Sequence, residues 1–295
     1  MQRQNHWRFL LGFVATVAAS WSAMMAVAAE EPYQVVRDQV YVERDSGPLA
    51  TDVYTPRGDG PFPAMIVVHG GAWASGTREQ LAGIAQGFAR AGYTSAAISY
   101  RLAPQQQFPA QIYDCQAAVR WLRSHAAKYK VDPDRIGGFG YSAGGHLVAL
   151  LGAMDDDDFR DAGVPANAPS ARLQVVIAGG APCDFRVLPA DSQRLAYWLG
   201  GTPAEKPDAY ERASPTSYVT SDDPPMFFFH GGGDNLVPIR SPRRMVERLK
   251  GAGVPVEFYE VPSAGHLGAI VDAKALQHAV AFADRHLKGA AANGK

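Results

Sequence analysis

Cysteine is nearly missing from this chain. Cys115 and Cys183 are the only two among 295 residues, so at most one disulfide can form. An oxidising compartment would permit that bridge, and two separately buried thiols suit the sequence equally well. An excess of one charge is missing too. The formal net charge is -1 and no basic stripe interrupts the balance, which leaves no electrostatic footprint for a nucleic-acid partner. No clustered His and Cys suggest zinc, and no internal repeat or low-complexity linker divides the sequence. The one acidic run, Asp155-Asp156-Asp157-Asp158, invites a calcium reading, yet it has neither the alternating ligands nor the glycine of a calcium loop and reads as a solvated loop. No cofactor is implied.

What the chain does have is apolar material. Hydrophobic residues make up 47% and charged residues 19%, which is enough at this length to bury a substantial core. Arg3 and Arg8 precede an apolar run over residues 9–29 that ends in Ala26-Val27-Ala28, a small-residue cleavage pattern. Glu30-Glu31 follow in place of a basic flank, and no cysteine stands near for lipid attachment. The pattern predicts a signal peptide over residues 1–29, cleavage near Ala28 or Ala29, a secreted or periplasmic protein, and no membrane association after cleavage. The run is long enough for an uncleaved anchor, which is the rival reading.

Residues 30–295 read as a single α/β domain. Strands are expected near 34–42, 50–54, 64–68, 94–98, 136–139, 173–178, 226–229 and 256–261, and helices near 78–91, 109–128, 143–152, 241–251 and 273–288. The first two strands are adjacent and more polar, as in an antiparallel edge hairpin. The last four are continuous apolar or aromatic runs, as in strands covered on both faces. The sum is a mostly parallel eight-stranded sheet flanked by helices. Residues 179–224, between the sixth and seventh strands, are too long for a plain connection and predict a small cap insert.

The chemistry sits where these strands end. Gly140-Tyr141-Ser142-Ala143-Gly144 follows an apolar run and opens a small-residue helix, the context of a nucleophile elbow. Met226-Phe227-Phe228-Phe229 leads to His230-Gly231-Gly232-Gly233-Asp234, and the final strand leads to Gly265-His266. Ser142, Asp234 and His266 thus follow one another in the order of an α/β-hydrolase triad. Asp184, just past the sixth strand, is the rival acid. His146 lies four residues after Ser142 and can face the elbow. His69 and His230 precede glycine turns, where a ring bonded to backbone shapes a loop; His125, His278 and His286 fall in expected helices as surface or packing residues. Asp222 and Asp223 read as turn formers before Pro224.

From about Tyr41 to Leu287 the chain resembles α/β-hydrolase esterases, in the group that joins carbohydrate acetyl esterases, feruloyl esterases and hormone-sensitive-lipase-like esterases. The resemblance rests on His69-Gly70-Gly71-Ala72-Trp73, on Tyr100-Arg101-Leu102-Ala103-Pro104 with Phe108-Pro109-Ala110, on the serine elbow with Gly145-His146-Leu147, and on Ala213-Ser214-Pro215. Two departures stand out: Ala72 replaces the third glycine of an H-G-G-G loop, and little sequence precedes that loop. The resemblance implies Ser142 as nucleophile, His266 as base, Asp234 as its orienting partner, and an oxyanion hole from the amides of Gly71, Ala72 and Ala143. Trp73, Tyr141 and Trp198 are the expected substrate contacts. Tyr197, Trp198 and Leu199 of the insert serve as pocket wall or as anchors onto the body.

The implied activity is that of an exported serine carboxylesterase on short-acyl or aromatic-acyl esters, such as those of plant polysaccharide. The same triad also serves arylformamidases, which the His69-to-Trp73 loop resembles, though that metabolism is expected in the cytoplasm. Peptidases of this fold usually carry a further domain, and a catalytically inactive binding module usually loses a triad member.

Overall fold

Eight strands, β1 (Tyr33–Val42), β2 (Leu49–Pro56), β3 (Phe62–Val68), β4 (Thr94–Ile98), β5 (Val131–Tyr141), β6 (Val176–Gly179), β7 (Met226–Gly231) and β8 (Val256–Val261), make one sheet in the order β1-β2-β4-β3-β5-β6-β7-β8. They come from a computed structural model that describes residues 30–289; the expected signal peptide at 1–29 lies outside the described residues, as do residues 290–295. β2 pairs antiparallel with β1 and with β4, and every later pairing is parallel. The helices are α1 (Ala82–Arg90), α2 (Ala110–Ser124), α3 (Ala143–Ala153), the short α4 (Ala196–Leu199) and α5 (Pro207–Arg212), α6 (Arg240–Gly251), the short α7 (His266–Ala269), and α8 (Ala273–Ala283).

The central strands carry continuous apolar runs because both faces are covered. In β3, Ala64, Ile66 and Val68 point into one apolar cluster while Met65 and Val67 point into the other. β7 divides likewise, Met226 and Phe228 to one side and Phe227 and Phe229 to the other. β8 departs from expectation: it is a sheet edge, and of its six residues only Val261 is buried. Its two glutamates, Glu257 and Glu260, are exposed on opposite faces of this edge strand. The helix expected over 109–128 stops at Ser124, after which Lys130 takes a positive φ of 54° and Val131 turns its amide back to the Ala126 carbonyl at 2.8 Å.

Three further expectations meet the structure here. Cys115 and Cys183 are two separate buried thiols, not a bridge. The aspartate run is not simply solvated: Asp155 pairs with Arg172, Asp156 with Arg120 at 2.9 Å and Asp157 with Arg160 at 3.4 Å, while Asp158 accepts the Asp155 amide at 2.7 Å. Residues 179–224 hold α4, α5 and a 3-10 turn at Pro215–Ser217, and are bonded to the body through the Phe108 amide, which donates to the Trp198 carbonyl at 3.0 Å. No helix among the described residues is long and apolar enough to cross a membrane.

Candidate active site

β5 hands over to α3 through a single residue. Ser142 sits between them with φ 56° and ψ −120°, a sparsely populated conformation that lifts its side chain above the sheet. Two contacts hold it there. The Ser142 amide donates to the Gly179 carbonyl at the end of β6 at 2.8 Å. The first turn of α3 lies against the end of β3, so close that a Cβ on Gly144 would stand 2.0 Å from the Val68 carbonyl oxygen, which excludes any side chain.

β7 and β8 supply the other two groups. His266 Nδ1–H donates to Asp234 Oδ2 at 2.6 Å, and its Nε2 accepts the Ser142 hydroxyl at 2.9 Å. Asp234 in turn accepts the amides of Leu236 and Val237 through Oδ1, each at 2.9 Å. Burial works against its charge, but the bonds from His266 and the Val237 amide outweigh it and hold the carboxyl below its ordinary value. His230 pins this loop, donating from Nε2 to the Val237 carbonyl at 2.8 Å, and burial lowers its pKa below the ordinary imidazole value. The rival acid Asp184 is taken up elsewhere, by Arg186 at 3.0 Å and Arg244 at 3.1 Å.

The loop after β3 turns through three consecutive left-handed residues, Gly71 (φ 108°), Ala72 (φ 51°) and Trp73 (φ 58°). The amides of Ala74 and Ser75 both close onto the Gly71 carbonyl at 3.0 Å. Those of Gly71, Ala72 and Ala143 have no protein acceptor among the described residues. Alanine therefore occupies the position of the third glycine at the cost of a strained φ, and its amide is available to a ligand. The start of α3 adds a partial positive charge behind Ala143. Such a set can meet negative charge that develops on a carbonyl oxygen beside Ser142. His69 shapes the loop as expected, stacked on Tyr100 at 4.2 Å with Nδ1–H on the Gly70 carbonyl at 2.7 Å.

Behind this loop stands a buttress of aromatic rings. Trp73 Nε1–H donates to His146 Nδ1 at 3.1 Å, and His146 Nε2–H donates to the Ala213 carbonyl of the insert at 2.7 Å, which fixes the imidazole tautomer. Burial pushes His146 down to about 4, so it stays neutral. It does not face the serine. Trp198 stacks on the far side of Trp73, rings 3.8 Å apart and 2° from parallel, and is fully buried. The expectation that Trp198 touches substrate is therefore corrected: it supports Trp73, which does line the cavity. Tyr141 is corrected likewise. It is buried beneath the site, and its hydroxyl donates to the His266 carbonyl, bracing the loop that carries the base.

Over Ser142 lies a cavity of about 340 Å³, walled by Ala72, Trp73, Phe185, Leu188 and Tyr197. Tyr197 is the residue of the insert that both lines it and anchors it, its hydroxyl donating to the Ala72 carbonyl at 2.7 Å. Phe185 and Leu188 carried no sequence signal beyond apolarity in the expected insert.

Comparison with known proteins follows the same lines. The BD-FAE family profile matches residues 51–249. Esterase LipC of Mycobacterium tuberculosis is 32% identical over 214 residues, 70% of this chain and 53% of that protein. The chain spans about half the length of the curated relatives it matches, from 49% to 54%. Among solved structures, a truncated carbohydrate esterase from gut microbiota superposes with a TM-score of 0.79 at 29% identity, covering 88% of this chain and 99% of that one. A thermophilic esterase of the planctomycete Thermogutta terrifontis gives 0.75 at 27% identity over 90% and 95%. Esterase 2 of that organism, phosphoramylated by tabun, gives 0.72 at 27% identity over 89% and 96%.

Proposed function

On the premise that this chain belongs to the BD-FAE family of α/β-hydrolase esterases, we propose that it is an exported serine carboxylesterase that cleaves short-acyl or aromatic-acyl esters, including those carried by plant polysaccharide. One observation carries the chemistry: the unbroken chain from Ser142 Oγ through His266 to Asp234, at 2.9 and 2.6 Å. A serine hydroxyl is a weak nucleophile until an adjacent base takes its proton. As Oγ attacks the ester carbonyl, that proton passes to His266 Nε2 while Asp234 steadies the imidazolium through Nδ1–H. The oxyanion points at the amides of Ala143 and the Gly71-Ala72 turn. Collapse expels the alcohol, which takes the proton from His266 and leaves Ser142 acylated. Water, deprotonated by the same imidazole, then attacks the acyl-enzyme, and the acid departs.

The intact triad argues against an inactive binding module. The carbohydrate esterase from gut microbiota supports a sugar-linked ester, and the tabun-modified esterase is in keeping with an activated nucleophile in this fold. Export is supported by Arg3, Arg8 and the apolar run ending in Ala26-Val27-Ala28.

The test is hydrolysis of 4-nitrophenyl acetate, butyrate and octanoate by the parent protein and by Ser142→Ala, with acetylated xylan and methyl ferulate in parallel. Turnover should fall with acyl length and drop at least about 10³-fold in the variant, since removal of a triad nucleophile leaves only the contribution of the oxyanion hole and binding. Equal rates for parent and variant on every ester would sink the proposal.

A further inference from the structure

The cavity over Ser142 is apolar in its walls and cationic at its mouth. Arg194 of the insert and Arg240 and Arg244 of α6 all line it, against a single lining carboxylate, Asp184. Asp184 is already engaged: Oδ1 accepts Arg186 Nε at 3.0 Å and Oδ2 accepts Arg244 at 3.1 Å. Arg194 and Arg240 are exposed and form no salt bridge among the described residues. Their placement does nothing for the fold. Arg240 and Arg244 stand four residues apart on one helix face, where like charges repel. They also occupy the first turns of α6, which has no acidic residue in its first turn, so they oppose the helix dipole instead of complementing it. Stability alone would favour acidic residues there.

The positive end of α6 and the uncompensated guanidiniums act together on the same concave, largely apolar space, where a field is screened less than on open surface. Resting on the esterase reading, we propose that the ester taken by this site carries a carboxylate, held across the cavity mouth by Arg194 and Arg240 while Phe185 and Leu188 receive its apolar part. Arginine suits that task because its planar fork meets both oxygens of a carboxylate at once. Arg244, tied to Asp184, supports the field without being free to rotate onto the ligand. The carboxylate belongs to the acyl part of the ester or to its alcohol part, and the two arms of the test separate these.

The experiment uses the whole chain with Ser142→Ala, so that intact esters can be titrated calorimetrically. One arm compares 4-acetoxybenzoate with 4-acetoxybenzamide, which differ in charge on the alcohol side. The other compares the monophenyl ester of adipic acid with its amide counterpart, which differ in charge on the acyl side. In one arm the anion should bind about tenfold more tightly than its neutral partner, and the preference should shrink in about 0.5 M salt. Adding Arg194→Gln and Arg240→Gln should abolish the preference, whereas Arg243→Gln, on the same helix but paired with Glu260 of β8, should keep it. Equal or weaker binding of both anions, or a preference that survives the double substitution, overturns the inference. Hydrolysis of the same four esters by the unsubstituted protein is read separately. Neutral esters cleaved without discrimination refute the carboxylate alone; an anion bound selectively while no ester is cleaved refutes the esterase reading alone.

Discussion

Trp73 does two jobs with one side chain: its ring face walls the cavity and its N–H fixes the tautomer of His146. Trp73→Phe keeps a ring against Trp198 but leaves the buried His146 Nδ1 without a donor. The expected loss is about 1–3 kcal/mol, the penalty for stranding a buried polar atom, read as a lower urea midpoint at constant slope. A variant as stable as the parent would mean that the bond contributes nothing. Residues of this kind mark the limit of what the sequence discloses. Ser142, Asp234 and His266 are legible because each lies in the turn that follows a strand, in an order that one family of folds requires. Trp198 and Tyr141 are equally conspicuous as aromatics, yet neither touches the cavity, because apolarity states that a side chain is buried and not which side of a wall it occupies. His146 is a similar case. Its position one helical turn after Ser142 suggests the elbow, but its ring turns the other way, toward Trp73 and Ala213.

The elbow works as a joint between elements: β5, α3 and β3 meet at Gly144, where no side chain fits. Gly144→Ala must move α3 away from Val68 or bend the end of β3. Overpacking of this kind costs about 1–3 kcal/mol, and a nucleophile displaced by an ångström loses about 10²-fold in rate. Thermal unfolding and turnover of 4-nitrophenyl acetate, measured on the same preparation, check both parts; unchanged turnover would show that the joint tolerates the methyl group. The strand and helix pattern itself is readable at this scale, since a strand segment buried on both faces is a continuous apolar run, as in β3, the second half of β5 and Met226 to Phe229 of β7. β8 differs from the expectation of a covered strand because Val256, Phe258, Tyr259 and Val261 outnumber its two glutamates, although Glu257 and Glu260 are what betray a wet edge. The insert was legible only as a length. That Tyr197 would reach across to the Ala72 carbonyl depends on tertiary packing that no local pattern encodes.

For the molecule as a whole, opposed titrations set the response of stability to pH. Burial pushes the Asp223 carboxyl up to about 6, although Thr220 donates to one of its oxygens at 3.0 Å. Between its ordinary value and about 6 the folded state binds more protons than the unfolded one. Its contribution is therefore complete below the ordinary value and lost as pH rises through about 6. Asp52, Asp184 and Asp234 run the other way: burial resists their charge, but hydrogen bonds outweigh it and hold them low, so their contributions are present above the ordinary carboxylate value and lost as pH falls. Asp223→Asn removes the alkaline-side loss. At pH 8 it should stabilise the protein by about 1–2 kcal/mol, with the gain vanishing below pH 4. Denaturation midpoints across that range test this, and a variant no more stable than its parent at pH 8 would refute it.

The two buried thiols have a practical consequence. Burial raises both Cys115 and Cys183 above the ordinary thiol range, so alkylating reagents meet no reactive sulfur on the folded protein. A cysteine put in place of Leu236, which lies on the cavity rim and is 68% exposed, would be the single addressable attachment point. A fluorophore coupled there could report occupancy of the cavity in real time, without removal of any native residue to clear the background.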